Sequence, residues 1–172
     1  AAAEKAAAEK AAADKAAADK NSGSSGGPSQ NESKPPVDEK PQGSSGYIRP
    51  LNGRINSPYG MRLHPIYGIY RMHTGIDIPA SSGTPIKATR GGVVIRSSYW
   101  GGYGNTVLIL HDNGISSLYA HMSRFNTSVG AIVSQGQTIG YVGSTGDSTG
   151  PHLHFEIRKN GNHVNPSSYI GY

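Results

Sequence analysis

A chain of 172 residues without cysteine is long enough for one domain with its own core, and it excludes disulfides and thiolate metal sites. Histidine and carboxylate remain as metal ligands. The net charge of +5 points to anionic partners, and no apolar run approaches the roughly 18 residues needed to span a bilayer.

Residues 1–20, AAAEKAAAEKAAADKAAADK, are four five-residue repeats of helix formers. A five-residue period winds the charges around a helix axis and leaves no apolar stripe, so an isolated Ala-rich helical spacer of about 30 Å is expected. Residues 21–46 hold 16 Gly, Ser or Pro among 26 positions and read as a disordered linker. Both stretches look like an engineered addition, and no signal peptide opens the sequence. Six of the 16 basic and seven of the 11 acidic residues lie in them, so residues 47–172 keep 10 basic and 4 acidic residues. That surplus suits nucleic acid, anionic lipid or acidic cell-wall polymers.

From Tyr47 onward the periodicity is that of strands. Pro85–Ala88, Gly92–Ser97, Asn105–His111, Ile115–His121, Gln137–Val142 and His152–Arg158 are β-type runs. Asp112-Asn113-Gly114 supplies the turn of a tight hairpin, and Lys159-Asn160-Gly161 ends the last run. No amphipathic helical window of useful length follows Gly46. The expected fold class is all-β, an antiparallel sheet or sandwich with loops and a groove at one rim.

All seven histidines follow Gly46, and four fall in informative patches. In "HTGID", Gly75 and the β-branched Ile76 and Ile78, with Pro79 next, argue against a helix, so His73 and Asp77 form a loop-to-strand pair. In "PHLHFEI" alternate residues share a face, sending His152, His154 and Glu156 to one side and Leu153, Phe155 and Ile157 to the other. One such imidazole can bind a metal and the other face a substrate. Glu156 either orients a ring by a hydrogen bond or forms a salt bridge with Arg158. In Ile115–His121 the same alternation puts Tyr119 and His121 on one face, at a groove. His64, His111 and His163 read as structural, and Tyr99, Trp100 and Tyr103 as loop aromatics that either pack or line a peptide groove.

Several other chemistries are excluded. The run "GSTGDSTG" (143–150) lacks the Lys-Ser/Thr and following helix of a nucleotide loop, and reads as a rim of the groove. No HExxH helix, Gly-x-Ser-x-Gly elbow or cysteine nucleophile is present.

The segments "YGMRLHP" (59–65), "HTGIDI", "GTPIKATRGGVV" (83–94), "YGNTVLILH" (103–111), "LYAHMS" (118–123), "GQTIGYVGSTGDSTGPHLHFEI" (136–157) and "VNP" (164–166) occur in that order over nearly all of residues 47–172. The chain thereby resembles the lysostaphin-type zinc endopeptidases of bacterial cell walls. The resemblance implies one zinc ion held by His73, Asp77 and His154, with His121 and His152 as the catalytic pair. It also implies a secreted or wall-associated monomer acting on peptidoglycan peptides near anionic wall polymers. Two imidazoles and one carboxylate leave a fourth position for water, as catalytic rather than structural zinc sites do. A non-catalytic wall-binding or hydrolase-regulating domain of the same fold is the alternative. A nucleic-acid-binding β domain lacks the expected aromatic-interleaved basic strands.

Overall fold

The computed structural model describes residues 46–172, so the helical spacer and all but the last residue of the linker lie outside the described residues. Eleven strands follow: β1 (Gly60–Leu63), β2 (Tyr70–His73), β3 (Ile76–Pro79), β4 (Pro85–Lys87), β5 (Gly92–Tyr99), β6 (Asn105–Leu110), β7 (Ile115–Phe125), β8 (Ile132–Val133), β9 (Thr138–Val142), β10 (His152–Lys159) and β11 (Asn162–Val164). One short helix, α1 (Ser167–Ile170), closes the chain, and a single 3-10 turn spans Gly101–Tyr103. No described helix is long and apolar enough to cross a membrane.

Every strand pairing is antiparallel. β1 and β2 form a two-stranded ribbon of their own. The other nine strands make one sheet in the order β11-β10-β7-β6-β5-β8, with β3 beside β10, and β9 joining β7 to β4. The β6–β7 hairpin turns at Asn113 (φ 54°) and Gly114 (φ 69°), the left-handed pair that matches the natural twist of two strands.

The larger core lies on one face of this sheet, and a smaller cluster of Ile95, Leu108, Leu118 and Ala120 packs separately. Leu153, Phe155 and Ile157 enter the larger core from β10 and meet Ile76 and Ile78 from β3 and Tyr119 and Met122 from β7, all fully buried. Apolar burial at this density contributes roughly 1.5–3 kcal/mol per large side chain and fixes the register of β10. The opposite face of β10 is therefore rigidly presented. A one-residue slip would exchange the two faces.

Candidate metal and catalytic site

β3 and β10 set the centre of the site. Asp77 and His154 are direct cross-strand partners, and His73 ends β2 four residues before Asp77. Gly75 lies between His73 and Asp77 for a steric reason: a Cβ there would come within 2.3 Å of the Phe155 carbonyl oxygen and 3.0 Å of the His154 ring. Only glycine lets the chain pass this close to β10.

His121 arrives by a different device. Val107 pairs with Tyr119 and Asn105 with Met122, so Ala120 and His121 together oppose the single residue Thr106. This β-bulge puts His121 in left-handed backbone, φ 58°, and breaks the alternation of β7. The expected common face of Tyr119 and His121 is thus corrected. Tyr119 is fully buried in the core, where its Oη accepts the Thr89 N–H at 2.8 Å, and it does not line the groove. His121 turns instead toward His152, with ring centroids 4.7 Å apart.

Each of the four imidazoles has one nitrogen held from outside. His73 Nδ1 lies 2.8 Å from the Pro58 carbonyl, His121 Nδ1 2.7 Å from that of Thr145, and His152 Nδ1 2.8 Å from that of Gly150. A carbonyl only accepts, so each Nδ1 carries the proton and each Nε2 is a free lone pair. His154 is held the other way round, its Nε2 donating to Glu156 Oε1 at 3.0 Å and leaving Nδ1 bare. The bare atoms converge: His73 Nε2 and His154 Nδ1 are 3.1 Å apart, and Asp77 Oδ1 lies 3.1 Å from the first and 2.8 Å from the second. Three lone-pair atoms facing one another repel unless a cation lies between them, and His73, Asp77 and His154 could together hold a metal ion. His152 Nε2 sits at the margin, 3.7 Å from Asp77 Oδ1.

The electrostatics of the chain alone express the same strain. Burial opposes charge on His154, but the hydrogen bonds to Asp77 and Glu156 outweigh it and push the ring's pKa up to about 9. The carboxylates that favour a proton at Nδ1 would equally favour a metal cation there, so the two compete for that lone pair. Burial of Asp77 is likewise outweighed by His154 and His73, which hold its carboxyl far below the usual range. For His121 burial dominates, only partly offset by the Thr145 carbonyl, and lowers the pKa to about 4. His121 is therefore a neutral base at physiological pH.

Behind His154, Glu156 is fully buried and does both things the sequence left open. Its Oε1 accepts from His154 and, at 2.7 Å, from the Tyr103 hydroxyl; its Oε2 accepts from Arg158 Nε at 2.8 Å. These partners hold its pKa at about 2 against the effect of burial. Tyr103 also lines the cavity, whereas Tyr99 and Trp100 do not.

The cavity over the cluster measures about 490 Å3. One wall is the β1–β2 ribbon and the other is the 143–150 loop, which supplies the carbonyls holding His121 and His152. The tip of the ribbon meets the loop where the Tyr67 hydroxyl donates to Asp147 Oδ2 at 2.6 Å. Sequence reasoning missed Arg62, which donates to Asp77 Oδ2 at 3.3 Å, and the carbonyls of Pro58, Thr145 and Gly150. His64, read as structural, lines the cavity.

A profile of Peptidase family M23 matches residues 71–166, a span that contains all five histidine and aspartate positions of the site. DD-carboxypeptidase/endopeptidase Mpg of Neisseria meningitidis serogroup B is 55% identical over 115 residues, 67% of this chain and 26% of that protein. Murein hydrolase activator EnvC of Escherichia coli is 36% identical over 143 residues, 77% of this chain and 34% of that protein. The chain thus spans only about a quarter to a third of these curated relatives. The catalytic domain of the antimicrobial peptidase lysostaphin from Staphylococcus simulans superposes with a TM-score of 0.64 at 33% identity, over 70% of this chain and 93% of that one.

Proposed function

The chain belongs to peptidase family M23, and on that footing we propose that residues 47–172 form a zinc-dependent endopeptidase hydrolysing peptide bonds in the stem peptide or cross-bridge of peptidoglycan. The observation that carries this reading is the orientation of the four imidazoles, each tethered by one nitrogen and presenting the other to a shared cavity, where those of His73 and His154 converge on Asp77 Oδ1. A network built only for stability would satisfy both nitrogens.

His73 Nε2, Asp77 Oδ1 and His154 Nδ1 would hold the zinc, which when bound supplies Lewis acidity to the scissile carbonyl and to the attacking water. Two imidazoles and a carboxylate, with the cavity open beyond them, are a donor set that zinc accepts. His121 and His152 then handle protons at Nε2. One takes a proton from the attacking water as its oxygen bonds to the carbonyl carbon; the pair returns a proton to the amide nitrogen as the C–N bond breaks. The products are a carboxylate and a free amine. Glu156 keeps His154 in the tautomer that leaves Nδ1 available. The net +6 of residues 47–172 suits attraction to anionic wall polymers, and secretion to the cell wall, as a monomer, goes with that substrate.

The likeness to EnvC favours one second reading, a domain of the same fold that binds wall or regulates another hydrolase. Zinc-loaded protein incubated with purified walls of two cross-link types, with and without chelator, separates them by mass spectrometry of the released fragments. New amino termini, lost with chelator and restored by zinc, are expected. Retention on the walls with no new amino termini would establish the regulatory reading instead.

A further inference from the structure

Across the β1–β2 ribbon Met61 pairs with Met72 and Leu63 with Tyr70, while Arg62 pairs with Arg71 between them. Alternation sends Met61, Leu63 and Tyr70 to one side of the ribbon and the two arginines to the other. Arg62 and Arg71 line the cavity, as do Ile66 and Met72, but Met61, Leu63, Ile69 and Tyr70 do not. Those four are instead 56% to 74% exposed. The ribbon pairs with no strand of the main sheet, and its turn is closed by His64 N–H on the Ile69 carbonyl at 2.8 Å and Gly68 N–H on the His64 carbonyl at 2.9 Å. A two-stranded ribbon is marginally stable by itself, and a run of large apolar side chains along its outer face marks an interaction site.

Charge separates the candidate occupants. Positions 50–76 hold Arg54, Arg62 and Arg71 and no acidic residue, and residues 47–172 carry a net +6. Asp147, which the turn touches, already accepts from the Tyr67 hydroxyl. A second copy would bring one basic ribbon against another, at a cost from like charges. A hydrophilic anionic polymer would leave the apolar side chains in water. A surface both anionic and apolar answers both features.

We propose that the outer face of the β1–β2 ribbon docks on an anionic lipid bilayer, with Met61, Leu63, Ile69 and Tyr70 entering the boundary between headgroups and acyl chains. The net positive charge draws the domain to the surface, and burial of the four side chains holds it there. Tyr70 joins an apolar ring to a hydroxyl and so suits the headgroup level. None of the four lines the cavity, so docking and the chemistry of the cavity use different side chains. Docking of this kind does not depend on the peptidase reading.

The test is cosedimentation of the zinc-loaded full chain with vesicles of phosphatidylethanolamine and phosphatidylglycerol, compared with vesicles of phosphatidylcholine alone. At low salt the wild type should bind the anionic vesicles about 10-fold more tightly than the zwitterionic ones, a preference that shrinks as salt is raised. Leu63→Ser and Tyr70→Ser should each weaken binding to the anionic vesicles about 10-fold. Ile132→Ser, at a residue that is 50% exposed on β8 of the main sheet, should leave it unchanged. Zinc content and the unfolding midpoint of each variant show that the fold is kept. Absence of binding, or binding that Leu63→Ser and Tyr70→Ser leave at the wild-type level, would overturn the docking face. So would a concentration-dependent dimer in sedimentation velocity that either ribbon variant abolishes, because the face would then belong to a second copy.

Discussion

Two groups of buried histidines in this molecule share nearly everything except what they face. His111, on the far side of the sheet, gives Nδ1–H to the Gly91 carbonyl at 2.8 Å, as three of the site rings give theirs to backbone carbonyls. Its Nε2, however, meets the Ser117 hydroxyl at 2.8 Å, which lies 2.9 Å from Tyr119 Oη, which in turn accepts from Thr89 N–H. Both nitrogens are satisfied and the network closes on itself. Three of the four site rings have the same backbone tether, and His154 is held by Glu156. The inward nitrogens of His73 and His154, however, meet only each other and Asp77 Oδ1, and no hydrogen bond engages Nε2 of His121 or His152 among the described residues. Burial and a fixed tautomer are thus common to both groups, and what sets the four rings apart is an inward nitrogen turned to the cavity.

The comparison can be broken from either side. Chelation, or His154→Ala, should bring the largest effect, reducing wall cleavage to background because the three-ligand set is lost. His121→Ala should lower kcat by about 10²- to 10⁴-fold, the usual contribution of a general acid or base, with KM for a soluble peptide little changed. Glu156→Gln keeps an acceptor for His154 but removes its charge, and should weaken zinc affinity about 10- to 100-fold in a competition titration. His111→Phe should leave zinc binding and turnover intact while costing about 1–3 kcal/mol in denaturant unfolding, because the Gly91 carbonyl and Ser117 hydroxyl lose their partner. Loss of zinc in His111→Phe would dissolve the distinction between the two groups.

The smallest effect concerns pH. Burial lowers the His111 pKa, partly offset by the Gly91 carbonyl, so the folded state prefers the neutral ring. As pH falls through the unfolded value near 6.5, the unfolded chain takes up a proton that the folded chain refuses. Stability contributed at this position thus declines with falling pH. The slope of unfolding free energy between pH 7 and 5 should be shallower in His111→Phe than in the wild type; an identical slope would place the titration elsewhere.

Much of the fold was legible in the residues because β10 obeys a strict alternation and the β6–β7 hairpin carries Asn-Gly in its turn. The runs read as strands at 85–88, 92–97, 105–111, 115–121, 137–142 and 152–158 match β4, β5, β6, β7, β9 and β10 within a few residues. The ribbon β1–β2 was not read, since it packs outside the core and leaves Met61, Leu63 and Tyr70 exposed, giving no buried face to set a period. His121 was read with the wrong neighbour because periodicity assumes a regular strand, and nothing in "LYAHMS" announces a bulge at a non-glycine residue. The holders of His73, His121 and His152 were invisible for a more general reason. A backbone carbonyl acts whatever side chain it carries, so only the path of the chain reveals it. Arg62 was missed because its partner Asp77 is 15 residues away across a ribbon that was not foreseen.

The division of the four rings into a pair that would hold zinc and a pair that would move protons is tested most directly by zinc stoichiometry in two variants on the same strand. His152→Ala is expected to retain one zinc per chain while losing most turnover, and His154→Ala to retain none. Equal zinc content in the two variants, or cleavage by His152→Ala at the wild-type rate, would contradict the division.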